Sequence, residues 1–364
     1  MPNLPSRISP GALDREQFKR VGLALAVGAA GGYLFALTGV PLAWMLGSMI
    51  FTAAAAIIGL PVRGPKALRS PMIAIIGATL GASFTPALLT SLSGWGLTVS
   101  ALLAASVVAT ALGYQLLNKV VKLDKATAFF AATPGGLLEM SMMGEERGGE
   151  ARSIILIHTI RIFCVVLILP PALAWIYGIG QLNSSTNVEA ASLFAPEPFA
   201  WFLLCCVAGM YLGQKLRLPA AHLTGPMLMS GFVHLAGWTS FQLPPELVAV
   251  AQVVLGAGLG TRFLGIRFRE TAVLIAGAIG SMAMHLIAAI GTAILVAKVS
   301  GYDFLQVLLA YSPGGIAEMS LIAIAIGADA AFVAAHHVIR VVVGLAVSPL
   351  FFGKMIGNGD REDQ

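Results

Sequence analysis

The chain alternates long apolar runs with short polar links, and this alternation sets its elements. Apolar runs of roughly 20 residues, the length a helix needs to cross a hydrocarbon core, recur from Val21 to Phe352. Spanning helices are expected near 21–38, 41–60, 71–91, 95–117 and 151–177. A second set is expected near 198–214, 219–237, 244–261, 271–297 and 330–353. Pro41, Pro71, Pro219 and Pro244-Pro245 fall at helix starts, where a missing N–H costs little. Two further apolar segments, 126–143 and 304–326, are each cut by Pro-Gly-Gly.

Those two cuts are copies of one motif. Thr133-Pro134-Gly135-Gly136-Leu137-Leu138-Glu139-Met140-Ser141 returns 179 residues later as Ser312-Pro313-Gly314-Gly315-Ile316-Ala317-Glu318-Met319-Ser320. The context is duplicated as well. Gly31, Tyr33, Pro41 and Gly47 recur as Gly209, Tyr211, Pro219 and Gly225, and Gly77 and Gly81 recur as Gly256 and Gly260. Asp124, His158, Arg161 and Pro170 recur as Asp303, His337, Arg340 and Pro349.

Charge then orients the runs. With the N-terminus in the cytoplasm, the links holding Arg63 to Arg69, Lys119 to Lys125, Arg147 and Arg152, Lys215 and Arg217, and Arg262 to Arg269 all fall inside, as the positive-inside bias requires. Of the 22 Lys and Arg, only Lys298 falls outside, and only Arg161 and Arg340 lie deep in spanning segments. This works only if 126–143 and 304–326 enter and leave on one side, as re-entrant hairpins. Each half then has an odd number of spans, and the second copy is upside down. The expected fold is an all-α polytopic membrane protein of about ten transmembrane helices. They form two inverted five-helix repeats, each with a re-entrant Pro-Gly-Gly hairpin, the plan of many secondary transporters. The expected order is a cytoplasmic segment (1–20), repeat one (21–177), an extracytoplasmic linker (178–197), repeat two (198–353) and a cytoplasmic tail (354–364). The start lacks a small-residue cleavage site and reads as a retained first helix rather than a signal peptide.

Composition agrees with this and narrows the chemistry. The chain is 57% hydrophobic and only 11% charged, against about 25% charged in soluble domains. Its net charge of +5 follows from loop topology and is no argument for nucleic acid. Cys164, Cys205 and Cys206 sit in apolar runs with no metal-ligand or disulfide spacing.

The candidate site residues are those that are costly in lipid. Pro134 and Pro313 lack an N–H and keep the preceding residue out of the helix. The pairs Gly135-Gly136 and Gly314-Gly315 admit close approach by a backbone or a substrate. Such a break is tolerated at membrane depth only against protein or a water-filled cavity. A half-helix starting there presents free N–H groups to an anionic or zwitterionic group. Glu139 and Glu318 in the first turn either cap the helix or carry a proton or cation. Ser141 and Ser320 follow as weaker candidates. His158 with Arg161, and His337 with Arg340, share a helix face three residues apart. Two roles stay open for each Arg: an internal pair with Glu139 or Glu318, or direct substrate contact. His336 has no counterpart in the first copy (Ile157), and His222, His234 and His285 read as helix-face or interface residues.

The paired hairpin motif, the paired His-x-x-Arg and the Gly- and Pro-rich first helices resemble the AbrB-type membrane protein family over about residues 22–353. That resemblance implies a bacterial inner-membrane protein with a duplicated domain, related in fold to inverted-repeat transporters. One member's name reflects an effect on gene expression, and many carry an ammonia monooxygenase label. No His-rich triad supports the enzyme label. A secondary transporter is expected, with a membrane regulator or sensor as the alternative and a monooxygenase as a minor one. No enzyme activity, metal or cofactor is expected. The partners are membrane lipid, a small solute and a coupling proton or cation, and a homo-oligomer is compatible with the chain. Both termini are placed in the cytoplasm. A reporter fused at position 182 should face outside and one at position 147 inside; the opposite pattern dismantles the inverted arrangement.

Overall fold

The computed structural model of the protein describes residues 10–84, 94–178 and 195–357. Most of the expected linker 178–197, the end of the expected 71–91 helix, the first residues of segment 1–20 and most of the tail 354–364 lie outside the described residues. The elements in order are α1 (Pro10–Ala36), α2 (Ala43–Ile57), α3 (Lys66–Ala82), α4 (Trp95–Gln115), α5 (Lys125–Ala132), α6 (Leu137–Glu145) and α7 (Ala151–Tyr177). There follow α8 (Pro196–Lys215), α9 (Ala221–Leu235), α10 (Pro245–Gly260), α11 (Phe268–Ser300), α12 (Phe304–Tyr311), α13 (Ile316–Ala325) and α14 (Ala330–Gly357). Regular structure among the described residues is helical throughout.

A helix stands at each of the ten expected positions, and both apolar segments with Pro-Gly-Gly are broken pairs, α5–α6 and α12–α13. Six described helices are long and apolar enough to cross a membrane: α4, α7, α8, α10, α11 and α14. The chain is therefore a helical membrane protein. The other four fall short for identifiable reasons. The helix α1 begins on a charged stretch with Arg15, Glu16, Lys19 and Arg20, and Arg20 bonds Glu16 one turn earlier. The helices α2 and α9 have 15 residues each, about 22 Å of rise, and α3 has 17 with Pro71 inside. Leu42 and Ala220, which precede α2 and α9, both take the left-handed conformation, at φ 57° and 49°. That is a costly choice for residues with a side chain, and it is made at matching places in the two copies.

The chain forms two compact units that cut across the sequence halves. One holds residues 1–72 and 245–266, the other 73–244 and 267–364. In the first, α2 packs between α1 and α10. In the second, α9 packs against α8, and the part of α3 from Ile73 onward lies on α9. So the third helix of each copy packs on the second helix of the other.

Glycine makes these contacts close. A Cβ on Gly47 would strike the carbonyl of Gly31, and one on Gly225 would strike the carbonyl of Gly209. Gly77 and Gly81 lie on the carbonyls of Leu223 and Met227, as Gly256 and Gly260 lie on those of Met45 and Met49. Lipid tails are as apolar as Leu, so helix association there depends on such close packing. Gly256→Leu should therefore destabilise the protein by about 1–3 kcal/mol. Gly258→Leu, where an added Cβ meets nothing within 4 Å, should cost far less. Thermal unfolding of the two variants in detergent compares them; equal midpoints would remove the packing argument.

Candidate functional site

Each hairpin begins with a capped half-helix. The Asp124 carboxylate accepts from the Thr127 N–H at 2.8 Å and starts α5. The Asp303 carboxylate accepts from Leu305 N–H at 2.8 Å and Gln306 N–H at 3.2 Å and starts α12. These are N-caps of the usual kind. Both half-helices end where Pro134 and Pro313 force the preceding residue out of the helical region. Thr133 has ψ 128° and Ser312 has ψ 143°. Their hydroxyls turn back onto Phe129 O at 2.8 Å and Leu308 O at 2.7 Å.

The second half-helices start at Gly136 and Gly315. Glu139 and Glu318 fold their carboxylates back over these N-cap glycines, leaving no room for a Cβ there. Each Glu stands at the third helical position, the place of the carboxylate in a capping box. A Cβ on Gly135 or Gly314 would meet the side chain of Met140 or Met319. Ser141 Oγ donates to Leu138 O at 2.8 Å within its own helix, whereas the buried Ser320 Oγ has no partner. The motif is thus packed largely by its own residues.

Stopping α5 and α12 leaves carbonyl groups unsatisfied at their C-terminal ends. The next spanning helix supplies the donors. His158 Nε2 lies 3.0 Å from Phe130 O, and its Nδ1 lies 2.8 Å from Arg161 Nη2. His337 repeats this with Leu309 O at 3.0 Å and Arg340 Nη2 at 2.8 Å. A carbonyl only accepts and a guanidinium only donates. Each His therefore carries its proton on Nε2 and accepts on Nδ1, and both nitrogens are committed to the clamp.

The two guanidinium groups are held unequally. Arg340 Nη1 donates to Ser312 O at 2.8 Å and Tyr311 O at 3.3 Å, and Nη2 donates to Gly314 O at 3.2 Å. Arg161 reaches one carbonyl, Ala132 O, at a long 3.5 Å. Both side chains are buried, and both Nε atoms lack a partner. Of the two roles left open for Arg161 and Arg340, the pairing with Glu139 or Glu318 is not found among the described residues, whose ion pairs are Arg20–Glu16, Arg147–Glu146 and Arg267–Glu270. The reason is positional: each Arg serves the end of the first half-helix, while each Glu serves the start of the second. Burying a charge costs several kcal/mol per ion, so an Arg without a carboxylate here is an expensive feature.

Beside Arg340 lies a small cavity with free room for about one water, lined by Pro134, Tyr311, Arg340, His285 and Ser106 among others. It collects the tip of one hairpin, the end of the other's first half-helix, and the helices α4, α11 and α14. His285 Nδ1 donates to Ser281 O at 2.8 Å, and its Nε2 has no partner. Among the described residues no three His, Cys, Asp or Glu gather into a metal-sized group.

Comparison with known proteins decides the family at this point. The model of the family "Transition state regulatory protein AbrB" matches residues 8–355. The chain belongs to the AbrB family. It is similar to "Uncharacterized protein YhjN" of Bacillus subtilis (strain 168), with 30% identity covering 93% of this chain and 94% of that one. It is also similar to "Putative regulator AbrB" of Escherichia coli (strain K12), with 26% identity covering 85% and 88%.

In this AbrB-family chain the expected site residues fall into three groups. Pro134 and Arg340 line the cavity. His158, Arg161 and His337 form the clamps behind it. Pro313, Gly135, Gly136, Gly314, Gly315, Glu139, Glu318, Ser141 and Ser320 build the tips and starts of the second half-helices and do not line the cavity, and Glu139 is exposed. Of the other lining residues, Tyr311 escaped the sequence reading and His285 was read only as a helix-face or interface residue. Tyr311 replaces Ala132 of the first copy, and His285 has no His counterpart at all, so a search for matched residues passes over both. His336 proves to be an anchor: it lies 2.8 Å from Thr98 Oγ1 and stacks on Phe332.

The inequality of the clamps has a measurable consequence. Each backbone partner lost from a charged donor costs roughly 1–3 kcal/mol. Arg340→Ala should therefore lower the detergent melting midpoint well below that of Arg161→Ala. The reverse order would contradict the clamp geometry.

Proposed function

We propose that the protein is a secondary transporter of a small anionic or zwitterionic solute in the bacterial inner membrane. The observation that carries this reading is a pair of buried helix breaks, each closed by a buried His–Arg clamp, with a cavity touching both hairpins. A purely structural helix has no use for an interrupted backbone and an unpaired guanidinium in apolar surroundings, since each is costly. A carrier does, because a broken helix presents polar backbone to a solute at the bilayer midplane.

On this reading ten helices span the membrane as two inverted five-helix repeats, with both termini cytoplasmic and the hairpins entering from opposite faces. The matched clamps at a constant shift and the Lys and Arg distribution support that topology. Solute sits near the hairpin tips, and Glu139 and Glu318 couple its movement to a proton or cation. The protein performs no covalent chemistry and works with membrane lipid, a solute and a coupling ion, without nucleic acid. A second reading, a membrane regulator that transports nothing, is favoured by the family's description as a regulatory protein and by the name of the Escherichia coli relative.

Glutamine separates coupling from capping, because at the third helical position it serves the capping box as well as Glu does. Glu139→Gln and Glu318→Gln, alone or together, should reduce solute flux in proteoliposomes to the level of empty vesicles, with melting midpoints nearly unchanged. Normal flux in the double variant removes the coupling role. Tight solute binding by the wild type with no movement across the vesicle favours the regulator.

A further inference from the structure

The helices α4 and α11 lie side by side, and a patch of positive charge stands where the end of one meets the start of the other. A Cβ on Gly277 would strike Val121 and one on Gly280 would strike Leu116, so the last turns of α4 rest on the first turns of α11. Both helices are long and apolar enough to cross a membrane, and no Asp, Glu, Lys or Arg occurs at 95–118 or at 271–297. Where these apolar stretches stop, Lys119, Lys122, Lys125, Arg267 and Arg269 emerge, all exposed. The acidic groups around them are committed. Asp124 caps α5 through the Thr127 N–H, Glu270 takes Arg267 at 3.0 Å, and Glu150 accepts from Ser153 Oγ at 2.6 Å. No described carboxylate pairs with the three lysines or with Arg269. Val120 and Val273, 69% and 63% exposed, set apolar surface beside the charges.

Lys122 holds its place at a conformational cost. Its φ is 66°, in the left-handed region, which an L side chain adopts at a penalty. The turn imposes that conformation: the Leu123 N–H donates to Leu117 O at 3.1 Å, and Asn118 Nδ2 donates to Leu123 O at 2.8 Å. At the shift of 179 the matching residue is Gly301, with φ 73°. Glycine is the residue such a helix end favours, and the second copy has it. Lys125 is likewise matched by Phe304, so this end of the first copy carries two lysines that the second copy lacks. The positive-inside bias asks for lysine somewhere along a link. It does not ask for one at the strained position.

We infer that this patch binds the headgroup of an anionic phospholipid, with Lys119, Lys122 and Lys125 at the phosphate and Val120 and Val273 against the acyl chains. Basic side chains at the end of a span, with apolar surface beside them, fit that ligand. The site needs only that α4 and α11 cross a membrane, so it stands apart from the transporter reading. The full chain, purified in a neutral detergent, is titrated with phosphatidylglycerol, phosphatidylcholine or inorganic phosphate while its melting midpoint is followed. Phosphatidylglycerol should raise the midpoint saturably, and the other two should not. Each lysine removed should lower the apparent affinity about fivefold. Lys122→Gly should do so while raising the lipid-free midpoint, because the turn loses its strain; Lys122→Arg should keep the affinity. Lys119→Gln, Lys122→Gly and Lys125→Gln together should lower it about a hundredfold. Lys298→Gln, at the other end of α11, should leave it unchanged. Equal stabilisation by phosphatidylcholine or by inorganic phosphate overturns the site, as does wild-type affinity in Lys122→Gly. If the triple variant does not insert, Lys122→Gly and the wild-type ranking decide.

Discussion

A helix that stops inside an apolar interior leaves carbonyls at one side of the break and N–H groups at the other, with no water to receive them. Each unsatisfied group costs several kcal/mol in lipid. Both hairpins answer this constraint in the same way. The first half-helix is closed from outside, by a His–Arg pair on the next spanning helix. The second is started from within, by a Glu folded over its own N-cap glycine. The hairpin is thereby bound to one particular following helix, and a guanidinium is drawn into the buried interior. The cavity lies where that guanidinium meets the opposite hairpin.

The two copies share this scheme but not its surroundings. Tyr311 donates its hydroxyl to Thr98 O, and His336 meets the Thr98 side chain, so the second hairpin and α14 are both tied to α4. The first copy has Ala132 and Ile157 at those places and no such ties are available to it. Arg340 is correspondingly rich in partners and Arg161 poor. The symmetric part of the motif closes the break, and the asymmetric part shapes the cavity beside Arg340.

Packing elsewhere follows from the same solvent. With no hydrophobic force between helices in lipid, the backbones come together where glycine permits. Gly31, Gly47 and Gly256 carry the contacts that place α1 and α10 on α2, and Gly209, Gly225 and Gly77 those that place α8 and α3 on α9. Sequence halves and compact units differ for this reason.

The sequence by itself determined the helical elements, the two breaks, the duplication and the His–Arg candidates. All of these depend on local propensity, apolar run length and recurrence at one shift, which act along the chain. The Pro, Gly, Glu, His and Arg that it singled out all lie at the breaks or against them. Tertiary structure alone decided who meets whom. Arg161 and Arg340 turned to backbone carbonyls rather than to Glu139 and Glu318, because the orphan carbonyls of α5 and α12 lie on the His–Arg face and the carboxylates do not. His285 and Tyr311 joined the cavity through contacts between helices remote in sequence, and such contacts leave no periodic trace in the chain.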